Sequence, residues 1–137
     1  MLIEKLNETI KTLDSLIEMT KEDIENIKEA KHELVFKNTA PKEDLALKFN
    51  RLKSEIDAIL VQRNKPLEEI FSKEEEKLFD EFRNKLAEFH NLHKRFAKLA
   101  LSVANFYNAL VKEIKNESAG IDYNNTQIPK SFLKLKA

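Results

Sequence analysis

Three histidines, His32, His90 and His93, are the chain's strongest candidates for metal or acid–base chemistry. His90 and His93 stand three residues apart, so on a helix they share a face, where two imidazoles can ligate one ion. Glu29 and His32 form a Glu-x-x-His element. Di-iron carboxylate bundles use that element twice, together with two further inward glutamates; here it occurs once. There is no cysteine, hence no thiolate nucleophile. No serine sits in a strand-turn-helix elbow. The single glycine is too few for a phosphate-cradling loop, which needs close backbone approach. Acids are plentiful, but their spacing places them on outer helix faces, not converging in a dry pocket. The expectation is a chain that is not an enzyme and carries no cofactor. His93 reads as a core-edge histidine with its ring nitrogens bonded nearby, and His32 as an exposed residue at the polar end of the first helix. A metal-binding helical bundle using the three histidines is the weaker alternative.

The elements that would hold these residues are helices. The 137 residues suit one domain, large enough to fold without disulfide or metal. Charged residues make up 35% of the chain, and the signs cancel, 24 against 24. A nucleic-acid binder concentrates a basic excess, so nucleic acid is not expected as a partner. No apolar run approaches the roughly 20 residues that cross a bilayer, and the opening MLIEKLNETI lacks the basic-then-apolar order of a secretory signal. The expected location is the cytoplasm, with no membrane insertion.

Periodicity predicts one long helix over residues 2–37. Heptad a positions are Ile3, Ile10, Ile17, Ile24 and Lys31; d positions are Leu6, Leu13, Thr20, Ile27 and Leu34. A repeat of 3.5 keeps one seam toward a partner helix. Asn38-Thr39-Ala40-Pro41 reads as the break, with Pro41 opening a second helix over 41–64 that carries Leu45, Phe49, Leu52, Ile56 and Ile59. Pro66 stops or kinks it, with helix resuming for a turn or two as far as 71. Ser72-Lys73-Glu74-Glu75 matches a capping box and opens a third helix over 73–116. That helix places Phe79, Phe82, Leu86, Phe89, His93, Phe96, Ala100, Val103, Tyr107, Leu110 and Ile114 on one stripe, widened by Leu78, Leu92, Leu99 and Phe106.

The predicted architecture is therefore all-α, an elongated antiparallel bundle or coiled coil of three long helices over 1–116, with a flexible C-terminal tail over 117–137. The broad, aromatic face of the third helix is expected to touch more than one neighbour. It is also the longest helix, so it should overhang its partners and leave apolar surface uncovered. Such a face serves as core, as a groove for a partner's amphipathic helix, or as a self-association seam. Tyr123, in a polar stretch of the tail, reads as an aromatic anchor or as a plain exposed residue.

Two stretches resemble a known family. The Leu-Ile-Glu-Met-Thr-Lys-Glu-Asp-Ile run of the first helix resembles the N-terminal helix of FlgN-type flagellar export chaperones. Leu86-Ala-Glu-Phe-His-Asn-Leu-His-Lys-Arg-Phe resembles that family's late helix, and a small tail with a tyrosine, Asp122-Tyr123-Asn124-Asn125-Thr126-Gln127, follows in both. The family often has Asn where His90 and His93 stand. The resemblance implies a cytoplasmic type III export chaperone. Such a protein binds the C-terminal amphipathic helices of hook-associated (hook–filament junction) proteins, prevents their premature assembly and delivers them to the export gate of the bacterial flagellum. It implies that the third helix carries much of the cargo surface and that Tyr123 serves gate docking; on that reading Phe89, Phe96, Val103, Tyr107 and Leu110 are the residues expected to line the surface. It is compatible with a monomer or weak homodimer. The principal alternative is a self-associating coiled-coil structural or adaptor protein.

Overall fold

Isoleucine, leucine and threonine recur along the first segment with no glycine or proline between them, and they form helix α1, Leu2–Lys28. The computed structural model describes residues 1–117, and α1 is followed by α2, His32–Arg63, and α3, Lys73–Glu117. At 1.5 Å per residue these span about 40, 48 and 67 Å. The architecture is all-α, an elongated bundle of three long helices. Cross-links give the directions. Lys5 pairs with Glu55 at 2.6 Å and Asp23 with Lys42 at 2.8 Å, so α1 and α2 are antiparallel. Asp14 pairs with Lys85 at 2.8 Å and Lys21 reaches Glu88 at 3.9 Å, so α1 and α3 run parallel. The exposed pairs set register more than stability, each worth about 0–1 kcal/mol.

The heptad seam of α1 is buried from Leu6 to Ile27, but so are its flanks, Leu2, Thr9, Thr12, Leu16, Asp23 and Asn26. A strip that wide is covered only when helices pack on both sides, and α1 packs against both α2 and α3. The central helix is thus α1, not the aromatic third helix that the sequence pointed to. Buried threonines fit here because each hydroxyl is satisfied inside its own helix: Thr9, Thr12 and Thr20 donate to the carbonyls of Lys5, Glu8 and Leu16. The backbones of α2 and α3 stand farther apart, and large rings bridge the space. Phe49 stacks on Phe82 at 6.2 Å, and Phe79 lies 5.8 Å from Phe82 and 4.7 Å from Phe71. These rings join Leu2, Leu6, Ile10, Leu13, Leu16 and Ile56 in one core cluster. A second contains Ile24, Ile27, Val35, Phe96 and Ala100. Each fully buried Leu, Ile or Phe contributes about 1.5–3 kcal/mol.

The first connection lies nine residues earlier than the sequence predicts. The helix expected over 2–37 ends at Lys28, and the supposed break at Asn38–Pro41 lies inside α2. Lys31 therefore falls in a turn and Leu34 on α2, where it is exposed, and the last heptad never forms. The turn closes with two carbonyl caps, Lys31 N–H donating to Asn26 at 2.7 Å and Ala30 N–H to Ile27 at 3.1 Å. That pattern needs a left-handed residue between them, and Ala30 takes it at φ 60°. Glycine normally marks such a site; an alanine there gives no signal and carries about 1 kcal/mol of strain. Pro41 is tolerated because its exposed ring lies on the outer face, and the Lys37 carbonyl it leaves without a helical donor is on an exposed residue. Ala30→Gly should stabilise the protein by about 1 kcal/mol in urea unfolding followed by circular dichroism, with no change in helix content.

The second connection follows the sequence reading closely. α2 stops at Arg63, with Asn64 in the left-handed conformation at φ 44°. Residues 66–71 do not resume a helix; they make one hydrogen-bonded turn, Glu69 N–H to the Pro66 carbonyl at 2.9 Å. Ser72 and Glu75 form the capping box: Glu75 N–H donates to Ser72 Oγ at 3.2 Å and Ser72 N–H to Glu75 Oε1 at 2.9 Å. Arg63 adds a bidentate pair to the same carboxylate, at 2.6 and 2.7 Å, and donates to the Ile70 carbonyl at 2.8 Å. One arginine thereby ties the end of α2 to the start of α3.

Candidate partner-binding face

The apolar stripe of α3 runs with a 3–4 spacing to Ile114, but the helices that cover it do not. α1 ends at Lys28, and α2 begins at His32, whose ring meets Tyr107 edge-on at 6.1 Å. Beyond that contact α3 continues for ten residues, about 15 Å. Ala104 is the last buried residue of α3 among the described residues. Past it, Phe106 is 63% exposed, Tyr107 38% and Leu110 41%, and Val111 and Ile114 are half-buried. Phe106 packs edge-on against Tyr107 at 5.8 Å. An open cleft of about 390 Å³, lined by Ala30, Lys31, His32, Glu33 and Leu34, adjoins this end at the α1–α2 turn. Exposed aromatic and aliphatic side chains at helical spacing, with a cleft beside them, are the kind of surface on which an amphipathic helix can lie.

The structure divides the residues singled out from the sequence. Tyr107 and Leu110 lie on this open end. Val103 is half-buried at its edge, against the second core cluster. Phe96 is 1% exposed and belongs to the core. Phe89 is half-buried against the first core cluster. A charged residue at Phe96 would thus disrupt the fold before it reported on a partner. Tyr123 lies outside the described residues. Phe106, expected only to widen the stripe, is the most exposed ring of this end, and the early end of α1 is what exposes it.

The histidines do not converge. Among the described residues no group of three or more His, Cys, Asp or Glu side chains is placed to hold a metal ion. The Glu-x-x-His element needs both residues on one helix, but the Ala30 turn separates Glu29 from His32, and Glu29 pairs with Lys31 at 2.9 Å. His32 is half-buried against Tyr107, not exposed as its place in the sequence suggested. His90 is exposed. His93 sits between Phe89 and Phe96, at 5.7 and 6.2 Å, and its Nδ1 has no hydrogen-bond partner, contrary to the expectation of bonded ring nitrogens. Burial, reinforced by the charges of Lys42 and His90, pulls its pKa below the ordinary value and keeps the ring neutral near pH 7.

A buried polar cluster lies on the inner side of this half of the bundle, and nothing in the sequence pattern announced it. Asp23 of α1 is 0% exposed and Lys42 of α2 1%. Lys42 Nζ donates to Asp23 Oδ2 at 2.8 Å, and Asn38 Nδ2 donates to Oδ1, also at 2.8 Å. The ammonium lies 4.2 Å above the centre of the Phe96 ring. Burial lowers the Lys42 pKa, with Asp23 pulling the other way.

No described helix is long and apolar enough to cross a membrane. No protein-family model matches the chain, and comparison with curated proteins and with solved structures likewise finds no match.

Proposed function

We propose that the chain is a cytoplasmic flagellar export chaperone of the FlgN type, which shields the C-terminal amphipathic helices of hook-associated proteins and hands them to the export gate. The uncovered apolar end of α3 is the observation that carries this reading. A helix that keeps its core spacing beyond its intramolecular partners offers a seam on which a partner helix can lie. The resemblance of the first and third helices and of the tail to that family supplies the identity of the partner. Cargo helices polymerise through their own apolar seams, so covering that seam blocks assembly. Ordering a disordered cargo end costs free energy, which keeps the complex releasable. Tyr123 is assigned by the same resemblance to gate docking, so Tyr123→Ala should reduce export and leave cargo binding intact.

The test is to mix the purified protein with C-terminal fragments of hook-associated proteins from its own organism and determine the mass by size exclusion with light scattering. A discrete complex is expected. Phe106→Glu combined with Leu110→Glu should weaken it at least 100-fold, since central apolar anchors are each worth about 2 kcal/mol or more. Helicity and melting temperature should stay unchanged, because both residues are exposed. A complex that tolerates both substitutions places the surface elsewhere. A stable homodimer that ignores the fragments replaces the chaperone reading with the self-associating one.

A further inference from the structure

The uncovered end of α3 is followed directly by twenty residues, 118–137, whose last half has the composition of a ligand for it. Ile128, Phe132 and Leu135 are spaced four and three apart, which would put them on one face of a helix about two turns long, and Pro129 falls where a first helical turn accepts proline. Lys130 and Lys134 fall off that face. The tail and the rest of the chain carry opposite net charge. Residues 118–137 hold three lysines and one aspartate, and because the whole chain is neutral, residues 1–117 carry the balancing acidic excess. Length is sufficient as well. The ten residues 118–127 include Gly120 and reach about 33 Å when extended, or roughly 17 Å as a flexible chain, against about 15 Å of overhang to retrace.

We propose that residues 128–135 fold back onto the Phe106–Tyr107–Leu110 face as an internal substitute for the partner helix, so that a cargo must displace the chain's own C-terminus. The competition, though not the docking itself, rests on the function proposed above. A tethered segment meets the face at millimolar effective concentration, so even weak apolar contacts hold it in place most of the time. The tail then hides an apolar patch that would otherwise promote aggregation. It also lowers cargo affinity by the fraction of time the face is closed: a face open one-tenth of the time binds about tenfold more weakly.

The native chain has no cysteine, so Lys134→Cys gives a single attachment point for a nitroxide label in the full-length protein. At low protein concentration, nuclear magnetic resonance should show amide broadening confined to the last turns of α3 and the α1–α2 turn. Leu110→Glu, at an exposed position, should abolish it. Absence of broadening, or broadening spread evenly over all three helices, overturns the proposal. So does broadening that appears equally when labelled chains are mixed with separate isotope-enriched ones, because the contact is then between copies. Phe132→Asp with Leu135→Asp in the full chain should raise cargo affinity about tenfold. Confined broadening with no cargo complex in any variant removes the chaperone reading and leaves the docked tail standing. Equal cargo affinity with and without the two aspartates, and no broadening, removes the docked tail and leaves the chaperone.

Discussion

Replacing Asp23 by alanine is expected to destabilise the protein by about 3–5 kcal/mol, a large share of the 5–15 kcal/mol that holds a domain of this size. The loss comes from Lys42 more than from the vanished contact. Its ammonium is buried, its single carboxylate partner would be gone, and the Phe96 ring alone cannot replace it. Asn38 would lose its acceptor too, although it is half-buried and water can reach it. The opposite result is expected when both charges are removed in matched shape. Asp23→Leu with Lys42→Met should be neutral, or stabilising by about 1–4 kcal/mol, because it avoids desolvating two ions and puts a thioether against Phe96. The direction of the Lys42 shift agrees: burial outweighs the attraction of Asp23 and disfavours the charged ammonium. Urea unfolding of both variants decides the matter. If Asp23→Ala costs less than 1 kcal/mol, the cluster is far wetter than its burial indicates.

Glu75→Gln is the second large effect, expected to cost about 2–3 kcal/mol at neutral pH. The carboxylate holds two arginine nitrogens and the Ser72 N–H, and an amide would turn one donor toward another. The same contacts predict acid behaviour. Arg63 foremost, with Ser72 assisting, brings the Glu75 pKa from 4.5 to about 2. A carboxylate depressed in the folded state binds its proton more readily when unfolded. Its contribution is therefore complete above pH 4.5 and disappears as pH falls toward 2. Wild-type stability should drop more steeply than that of Glu75→Gln across that window, and the two curves should converge near its lower end. Parallel curves would mean that the Arg63 clamp contributes nothing.

Legibility differed between the two connections for a physical reason. Ser72–Glu75 uses side chains that recur at helix starts, and Pro66 forbids a helical neighbour, so both were readable. The Ala30 turn uses backbone carbonyls and a strained alanine, and neither is encoded in residue type. Pro41 misled for the converse reason. Proline breaks a helix only where its missing bond and its ring cannot be accommodated, and an exposed face accommodates both. The heptad of α1 was visible because packing on α3 and α2 demands it. The second buried strip was hidden among threonines and Asp23, which read as surface until their partners are known. For the candidate face, the sequence supplied the stripe of α3, and the end of α1 determined which part of it remains open.

The central place of α1 bears on how the protein is made. Synthesis delivers α1 first, yet α1 is the helix that needs covering on both sides. One side can close as soon as α2 emerges, through a hairpin with a three-residue turn. The other waits until the ribosome has added α3, whose links back to α1 span Asp14 to Lys85 and Lys21 to Glu88. Through that interval the nascent chain displays the α3-facing side of α1, an apolar strip of the kind it is proposed to shield in others.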